Sequence, residues 1–381
     1  MVTCRAVIVE EAILPGIRAG LEKLLKLWIR EGADKVFVHA VPGGAGNSPQ
    51  PIREYLRGLN ARFRLQGVML IGDLPIAWYA QRHASADLLY TSDYYFMELE
   101  GNWSVGPLNV VSGASKPPPT VAAGRVFIAS GTGIIATRPP VTELYNRFLG
   151  KAVAYRRQGE SYRQGRKTAV VSNLSYANVY AGHLRNLFPA PLPMDQQDGA
   201  TVAQYRTFVE SPYDWLLYYG HSDSGQHQMA GGGSWNPFHY LESAVKVNTF
   251  QFESCAVGSF AWRTTADPSD PSSPAVVKAM SDAFVSNILG NTGRGLTVFA
   301  PSIPGFFDDM VRFFNFLAGG GTYGDAFRRW MAAEIQENDP HYMMHFGDPF
   351  LSFRTVPPSK YAASFWDRIQ DLLRRRGIYY E

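Results

Sequence analysis

Short apolar runs alternate with amphipathic stretches through the first seventy residues. Residues 6–9 and 68–71 are apolar and largely β-branched or long aliphatic, and 35–39 repeats the pattern around Val36, Phe37 and Val38. Between them, Leu21, Leu24, Leu25 and Leu27 recur close to helical spacing, and residues 52–63 do so after a turn at Gly43 and Gly44. This order, β-α-β-α-β, predicts a parallel sheet with helices on both faces. Residues 87–120, with Pro117, Pro118 and Pro119, read as loops with edge strands. A helix is expected over 141–157, followed by a polar, basic segment. The logic then repeats: strands at 168–171, 215–219, 249–252 and 296–300, helices at 178–187, 275–289, 306–317 and 323–336. The reading is an α/β fold of two successive subdomains, 1–157 and 158–356. A tail over 357–381 carries Phe365, Trp366, Ile369, Leu372 and Leu373 at amphipathic helical spacing. That helix is expected to pack on its own domain or to serve as a docking element.

In open parallel sheets, ligands sit beyond the carboxyl ends of the strands. Two of the expected strands end in reactive residues. The run 215–219 leads through Gly220 into His221, and the run 249–252 leads through Glu253 and Ser254 into Cys255. Neighbouring strands would bring this imidazole and this thiol to one edge. A free thiol titrates near ~8.5, so a nearby imidazole is needed to hold it as thiolate at neutral pH. The small residues around Cys255 would let a substrate carbonyl approach the backbone, with the N–H groups of Cys255 and Ser222 as an oxyanion hole. Asp223 would orient His221 or cap the next turn.

Composition narrows the alternatives. Hydrophobic residues make up 46% and charged residues 18%, a globular balance that argues against disorder and against a coiled coil. A net charge of +3 requires neither a nucleic acid nor a membrane surface as partner. Two cysteines, Cys4 and Cys255, exclude a disulfide scaffold. No apolar run reaches the roughly 18 residues of a spanning helix. The first residues read as a strand, not a signal peptide, so the compartment reads as cytoplasmic; a secreted chain shorn of its export signal would read the same.

Six pieces in order carry a resemblance. They are Leu70-Ile-Gly-Asp73, Ser92-Asp-Tyr-Tyr95, Gly124-Arg125, Tyr218-Tyr-Gly-His221, Ser254-Cys-Ala-Val-Gly-Ser-Phe260 and Gly347-Asp-Pro-Phe-Leu351, with His221 and Cys255 34 positions apart. Together they resemble the caspase-fold cysteine peptidases (caspases, legumains, clostripain), most of all the gingipain family, over most of the chain. The resemblance implies a caspase-like α/β/α sandwich with a mostly parallel sheet. It also implies a cysteine endopeptidase acting on protein or peptide substrates through a His221–Cys255 dyad. Asp73, Asp93 and Asp348 are then structural turn or capping residues. No redox cofactor is implied; related enzymes often bind structural calcium, although no Asp-x-Asp-x-Asp-Gly loop occurs here. Glu253, two residues before Cys255, occupies the offset that lines the primary specificity pocket in this fold group. It would favour Arg or Lys before the scissile bond, or else sit in an internal ion pair. The chain departs from the family where Ser222 replaces the usual glycine after the histidine, and where Ser172-Asn-Leu-Ser-Tyr176 lacks the acid of arginine-specific gingipains.

The loop over 261–274 reads as exposed and gating, with Arg263 a point of self-cleavage if the basic preference holds. Three rivals use the same residues. Ser222, in Gly220-His-Ser-Asp-Ser224, would be the nucleophile of a serine esterase or lipase-like hydrolase, with His341 or His345 downstream; its final elbow position falls on Ser224, not glycine. His221, His227 and His239 would be metal ligands, but no His-Glu-x-x-His pattern joins them, so no metal site is expected. A catalytically silent binding or regulatory protein would keep the peptidase shape alone.

Overall fold

The computed structural model describes residues 2–83, 86–113, 117–129, 139–158, 167–185, 194–265, 275–279, 283–303, 310–335, 342–353 and 377–381. The chain opens with β1 (Thr3–Glu10), α1 (Leu14–Arg30), β2 (Lys35–Val41), α2 (Gln50–Arg62) and β3 (Arg64–Ile71). In α1, Ile17, Leu21, Leu24, Leu25 and Trp28 all turn inward and are buried, as their spacing requires. Pro15 stands in the first turn of α1, where a missing N–H costs nothing. β1 pairs with β2 and with β3, all parallel.

An excursion follows: β4 (Trp78–His83), β5 (Ala86–Thr91), α3 (Tyr94–Met97), β6 (Trp103–Val105) and β7 (Val110–Gly113). Its four strands form a small separate sheet in the order β5-β4-β7-β6, where loops with edge strands are expected. β8 (Ala122–Val126) returns to the main sheet beside β3, and α4 (Val141–Gln158) packs against α1.

The later residues supply β9 (Thr168–Ser172), α5 (Ala177–Arg185), β10 (Met194–Gln197), α6 (Val202–Val209) and β11 (Trp215–Tyr219). Then come the hairpin β12 (His227–Gln228) and β13 (Ser234–Trp235), α7 (Pro237–Glu242) and β14 (Thr249–Glu253). Next are β15 (Ala261–Thr265), β16 (Ala275–Ala279), α8 (Phe284–Gly290) and β17 (Thr297–Pro301). The last described elements are α9 (Met310–Ala318), α10 (Tyr323–Glu334), β18 (Met343–Gly347) and β19 (Ile378–Tyr380). One eleven-stranded sheet runs β10-β9-β11-β14-β17-β18-β8-β3-β1-β2-β19. β9, β11, β14 and β17 are parallel neighbours, and β18 turns back antiparallel to β17. β9, β14, β17 and β18 are buried along their whole length, as strands covered on both faces are; in β14 the polar Gln251 and Glu253 are buried along with Phe250 and Phe252. This is the mostly parallel, helix-covered sheet of a caspase-like fold.

Two aromatic clusters fill the faces beside β11 and β14. On one, Trp215 stacks on Phe299 and meets Phe313, Phe314 and Tyr323. On the other, Phe250 and Phe252 meet Tyr240 and Phe284. Each such ring, fully withdrawn from water, contributes about 2–3 kcal/mol.

Several expectations need correcting. Residues 275–279 are a strand, not the start of a helix. Val276 and Val277 favour extended backbone, and β15 offers them an antiparallel partner. The helix is confined to α8. For the same reason the loop expected over 261–274 begins as strand, which puts Arg263 in β15. Residues 266–274 and the tail helix at 365–373 lie outside the described residues, as do residues 159–166 of the segment expected to follow the boundary at 157/158; Gln158 itself is the last residue of α4. The end of the tail is not helical: Ile378–Tyr380 adds a parallel edge strand to β2, where Tyr379 stacks on Phe37. Asp93 and Asp348 do more than cap turns. Asp93 holds the buried Arg125 through both carboxylate oxygens, and Asp348 pairs with the buried Arg156 at 2.8 Å while accepting from Trp28 Nε1 and Phe350 N. Asp73 donates its N–H to Glu10 Oε2; burial first, then the Glu10 charge, pushes its carboxyl up.

Candidate active site

Tyr219 of β11 lies opposite Glu253 of β14 in parallel register. The ladder runs one residue further, because Gly220 N–H donates to Glu253 O at 3.2 Å. His221 and Cys255 therefore leave the sheet at the same carboxyl edge, each two residues beyond that register pair. His221 is exposed and Cys255 is half-buried. Gly220 does not hold a left-handed conformation, and the space beside its Cα is taken by neighbouring side chains. A Cβ there would stand 2.1 Å from Asn173 Oδ1 and 2.8 Å from the Tyr218 hydroxyl.

The turn after Cys255 is stapled to the end of β17. Ala256 N–H donates to Ile303 O, Gly258 N–H to Pro301 O at 2.7 Å, and Ser259 Oγ to Ser302 O at 2.6 Å. A Cβ on Gly258 would meet Ala300 O at 2.6 Å and Pro301 O at 2.9 Å, so only glycine permits this approach. The Cys255 N–H is not a donor in the staple. Ala256 holds φ +56°, a left-handed conformation that costs an alanine about 1 kcal/mol or more. Phe260 closes the turn in the core against Phe127 and Phe346.

The segment after His221 forms a tight hairpin. Gln228 N–H donates to His221 O, and Asp223 N–H to Gln226 O. Ser222 and His227 face each other as the non-hydrogen-bonded pair between those rungs, which turns the Ser222 N–H out of the hairpin. The Asp223 carboxylate accepts from Gly225 N at 2.7 Å and Gln226 N at 2.9 Å, closing the turn. Glu253 is fully buried, and its Oε1 accepts from Gln251 Nε2 at 2.7 Å.

The residues of the rival readings are engaged elsewhere. Ser222 Oγ lies 2.7 Å from His227 Nδ1, a serine–histidine contact the sequence reading did not foresee. Burial drives the His227 imidazole down to about 3, so it is a poor acceptor for a serine proton near neutral pH. His345 sits inside β18 with Nδ1 at Ala123 O, and burial lowers it to about 4; His341 lies outside the described residues. His239 spends Nδ1 on the Asn236 N–H in the capping box of α7. Among the described residues no three His, Cys, Asp or Glu side chains converge as a metal site. No described helix is long and apolar enough to cross a membrane.

No protein-family model and no curated protein matches this sequence. In three dimensions the chain is similar to the crystal structure of the Arg-specific cysteine proteinase gingipain R (RGPB). The identity is 15% and the TM-score 0.62, over 93% of this chain and 79% of that one. It is similar, too, to the complex of Porphyromonas gingivalis RgpB pro- and mature domains, at 15% identity and TM-score 0.60 over 93% and 80% of the two chains. A structure described as a protease matches at 11% identity and TM-score 0.60, over 93% and 79%. At these identities the likeness is one of fold: a caspase-like architecture found in cysteine proteinases.

Proposed function

We propose that the chain is a cysteine endopeptidase with Cys255 as nucleophile and His221 as its acid–base partner. The observation that supports this reading is the parallel register of β11 and β14, which sends both residues off one sheet edge. The Cys255 thiolate would attack the scissile carbonyl carbon, with the N–H groups of Cys255 and Ser222 receiving the oxyanion. As the tetrahedral adduct collapses, the C–N bond breaks and the His221 imidazolium gives its proton to the leaving amine. The resulting thioester is hydrolysed by a water that His221 deprotonates, which releases the carboxylate product and restores the thiol. Asp223 belongs to the turn in this reading, and His221 acts without a carboxylate partner.

The residue preferred before the scissile bond rests on Glu253. A basic substrate side chain would gain a charge-assisted bond there in competition with the Gln251 amide for a fully buried carboxylate. Peptides differing only in Arg, Lys or Leu at that position measure it, and equal turnover of the Arg and Leu peptides ends the basic preference.

The central test is a fluorogenic peptide library run on wild type, Cys255→Ala and His221→Ala, with covalent labelling by a peptidyl acyloxymethyl ketone. Hydrolysis and labelling should depend on Cys255, and each variant should lose about 10³-fold or more in kcat. Turnover that survives Cys255→Ala would overturn the assignment. A wild type that neither turns over nor labels would point to a silent scaffold.

A further inference from the structure

We infer that His227 is a positioning residue for this site: through the Ser222 hydroxyl it fixes the backbone on which His221 stands. The inference rests on the peptidase reading above and concerns a pair of residues that the family pattern, with glycine after the histidine, could not form.

The His221 ring is exposed, so packing gives it little support. Its placement depends on its backbone, which is held on both sides. Ahead of it, Gly220 N–H is tied to Glu253 O, and the His221 carbonyl accepts from Gln228 N–H at 2.9 Å. Behind it, the Ser222 hydroxyl meets His227 Nδ1 at 2.7 Å. His227 is a firm anchor. Its ring is fully buried and lies 4.3 Å from Phe284, 4.5 Å from Tyr218 and 5.0 Å from Phe252, centroid to centroid. Its second nitrogen lies 3.3 Å from the Tyr240 hydroxyl, which in turn bonds the Tyr205 hydroxyl at 2.8 Å. A buried polar chain with each member satisfied is rigid. It directs the Ser222 side chain inward and its N–H outward, the direction the oxyanion role requires. Supporting groups of this kind keep reacting groups in register, and a displacement of about 1 Å can cost as much as 10²-fold in rate.

The test uses the chain's own thiols. Cys4 is fully buried, and burial pushes its thiol up to about 12, so iodoacetamide near neutral pH reads Cys255. Alkylation rate is measured from pH 5 to 9, alongside kcat and KM on a peptide substrate. His221→Ala reports the coupling of imidazole and thiol. Ser222→Ala keeps the backbone N–H but removes the hydroxyl. His227→Gln reaches the Nε2 position and loses Ser222, whereas the shorter amide of His227→Asn sits where Nδ1 was. We expect Ser222→Ala and His227→Gln each to move the alkylation profile upward by about one pH unit and to lower kcat about tenfold, with KM changed less than about twofold. The double variant should match either single, and His227→Asn should restore the wild-type profile. If His221→Ala leaves the profile unmoved, the dyad fails and this inference fails with it. If His221→Ala moves it but Ser222→Ala does not, the dyad stands and the positioning role is overturned. Should His227→Gln not fold, Ser222→Ala alone carries the decision.

Discussion

Replacing Asp93 by Asn should destabilise the fold severely, although Asp93 touches no proposed reacting group. The Arg125 guanidinium is 1% exposed and, among the described residues, Asp93 is the one carboxylate that hydrogen-bonds it: Nη2 to Oδ1 at 2.6 Å, Nε to Oδ1 at 3.0 Å and Nε to Oδ2 at 3.1 Å. At an effective dielectric of ~20 and a charge separation of about 4 Å, the attraction is about 4 kcal/mol. Losing the carboxylate charge strands a buried cation, a change that costs about 3–5 kcal/mol in comparable pairs. Arg125→Met strands the carboxylate instead and should cost about as much. The double variant removes both charges, so its cost should resemble one single rather than the sum, a coupling of at least about 2 kcal/mol. Urea unfolding followed by tryptophan fluorescence measures all four proteins, each carrying Cys255→Ala so that self-cleavage cannot intrude. Single variants that lose less than about 1 kcal/mol, or costs that simply add, would refute the reasoning. The pair matters to the site because the Arg125 guanidinium lies 5.0 Å from the centroid of the Phe260 ring, which closes the turn after Cys255.

Two further outcomes follow from other observations. Gly258→Ala should lower both the unfolding temperature and the rate of Cys255 alkylation, since its Cβ would press on backbone carbonyls at 2.6 and 2.9 Å; an unchanged variant would show that the staple to β17 yields freely. Lys151 is buried and donates to the carbonyls of Leu289, Asn291 and Gly295, and burial lowers it from 10.5 to about 7. The unfolded chain then holds one proton more than the folded chain between about pH 7 and 10.5, so this group's stabilisation is complete above that window and is lost as pH falls through it, by at most about 1.4 kcal/mol per pH unit. Unfolding free energies at pH 7, 8 and 9 should therefore rise less steeply in Lys151→Met than in wild type, and equal slopes would contradict the shift.

Much of the architecture was legible because it is local. The leucine spacing of α1, the apolar runs of β1, β9 and β11 and the alternating phenylalanines of β14 appear where periodicity puts them. The misreadings have one origin, which is pairing with distant partners. Val276 and Val277 become strand because β15 lies beside them, and Ile378–Tyr380 becomes strand because β2 offers an open edge. β18 went unseen for a related reason. Its Met343-Met-His-Phe-Gly347 carries no period, and it exists because the edge of β17 must be paired. The two strand ends of the site were visible in the sequence. The histidine that holds Ser222 was not, because His227 resembles any loop histidine until the hairpin folds it inward.

By itself the sequence determined which residues end the strands, since side-chain size and apolar period act within a few positions of the chain. It also determined where glycine stands before His221 and after Cys255. Tertiary structure alone decided that β11 and β14 are neighbours in register, that Glu253 is sealed against Gln251, and that the Ser222 hydroxyl meets an imidazole rather than water. Strand order and burial are settled by loop closure and packing among segments far apart in sequence, and no local pattern encodes which of two compatible edges a strand will choose.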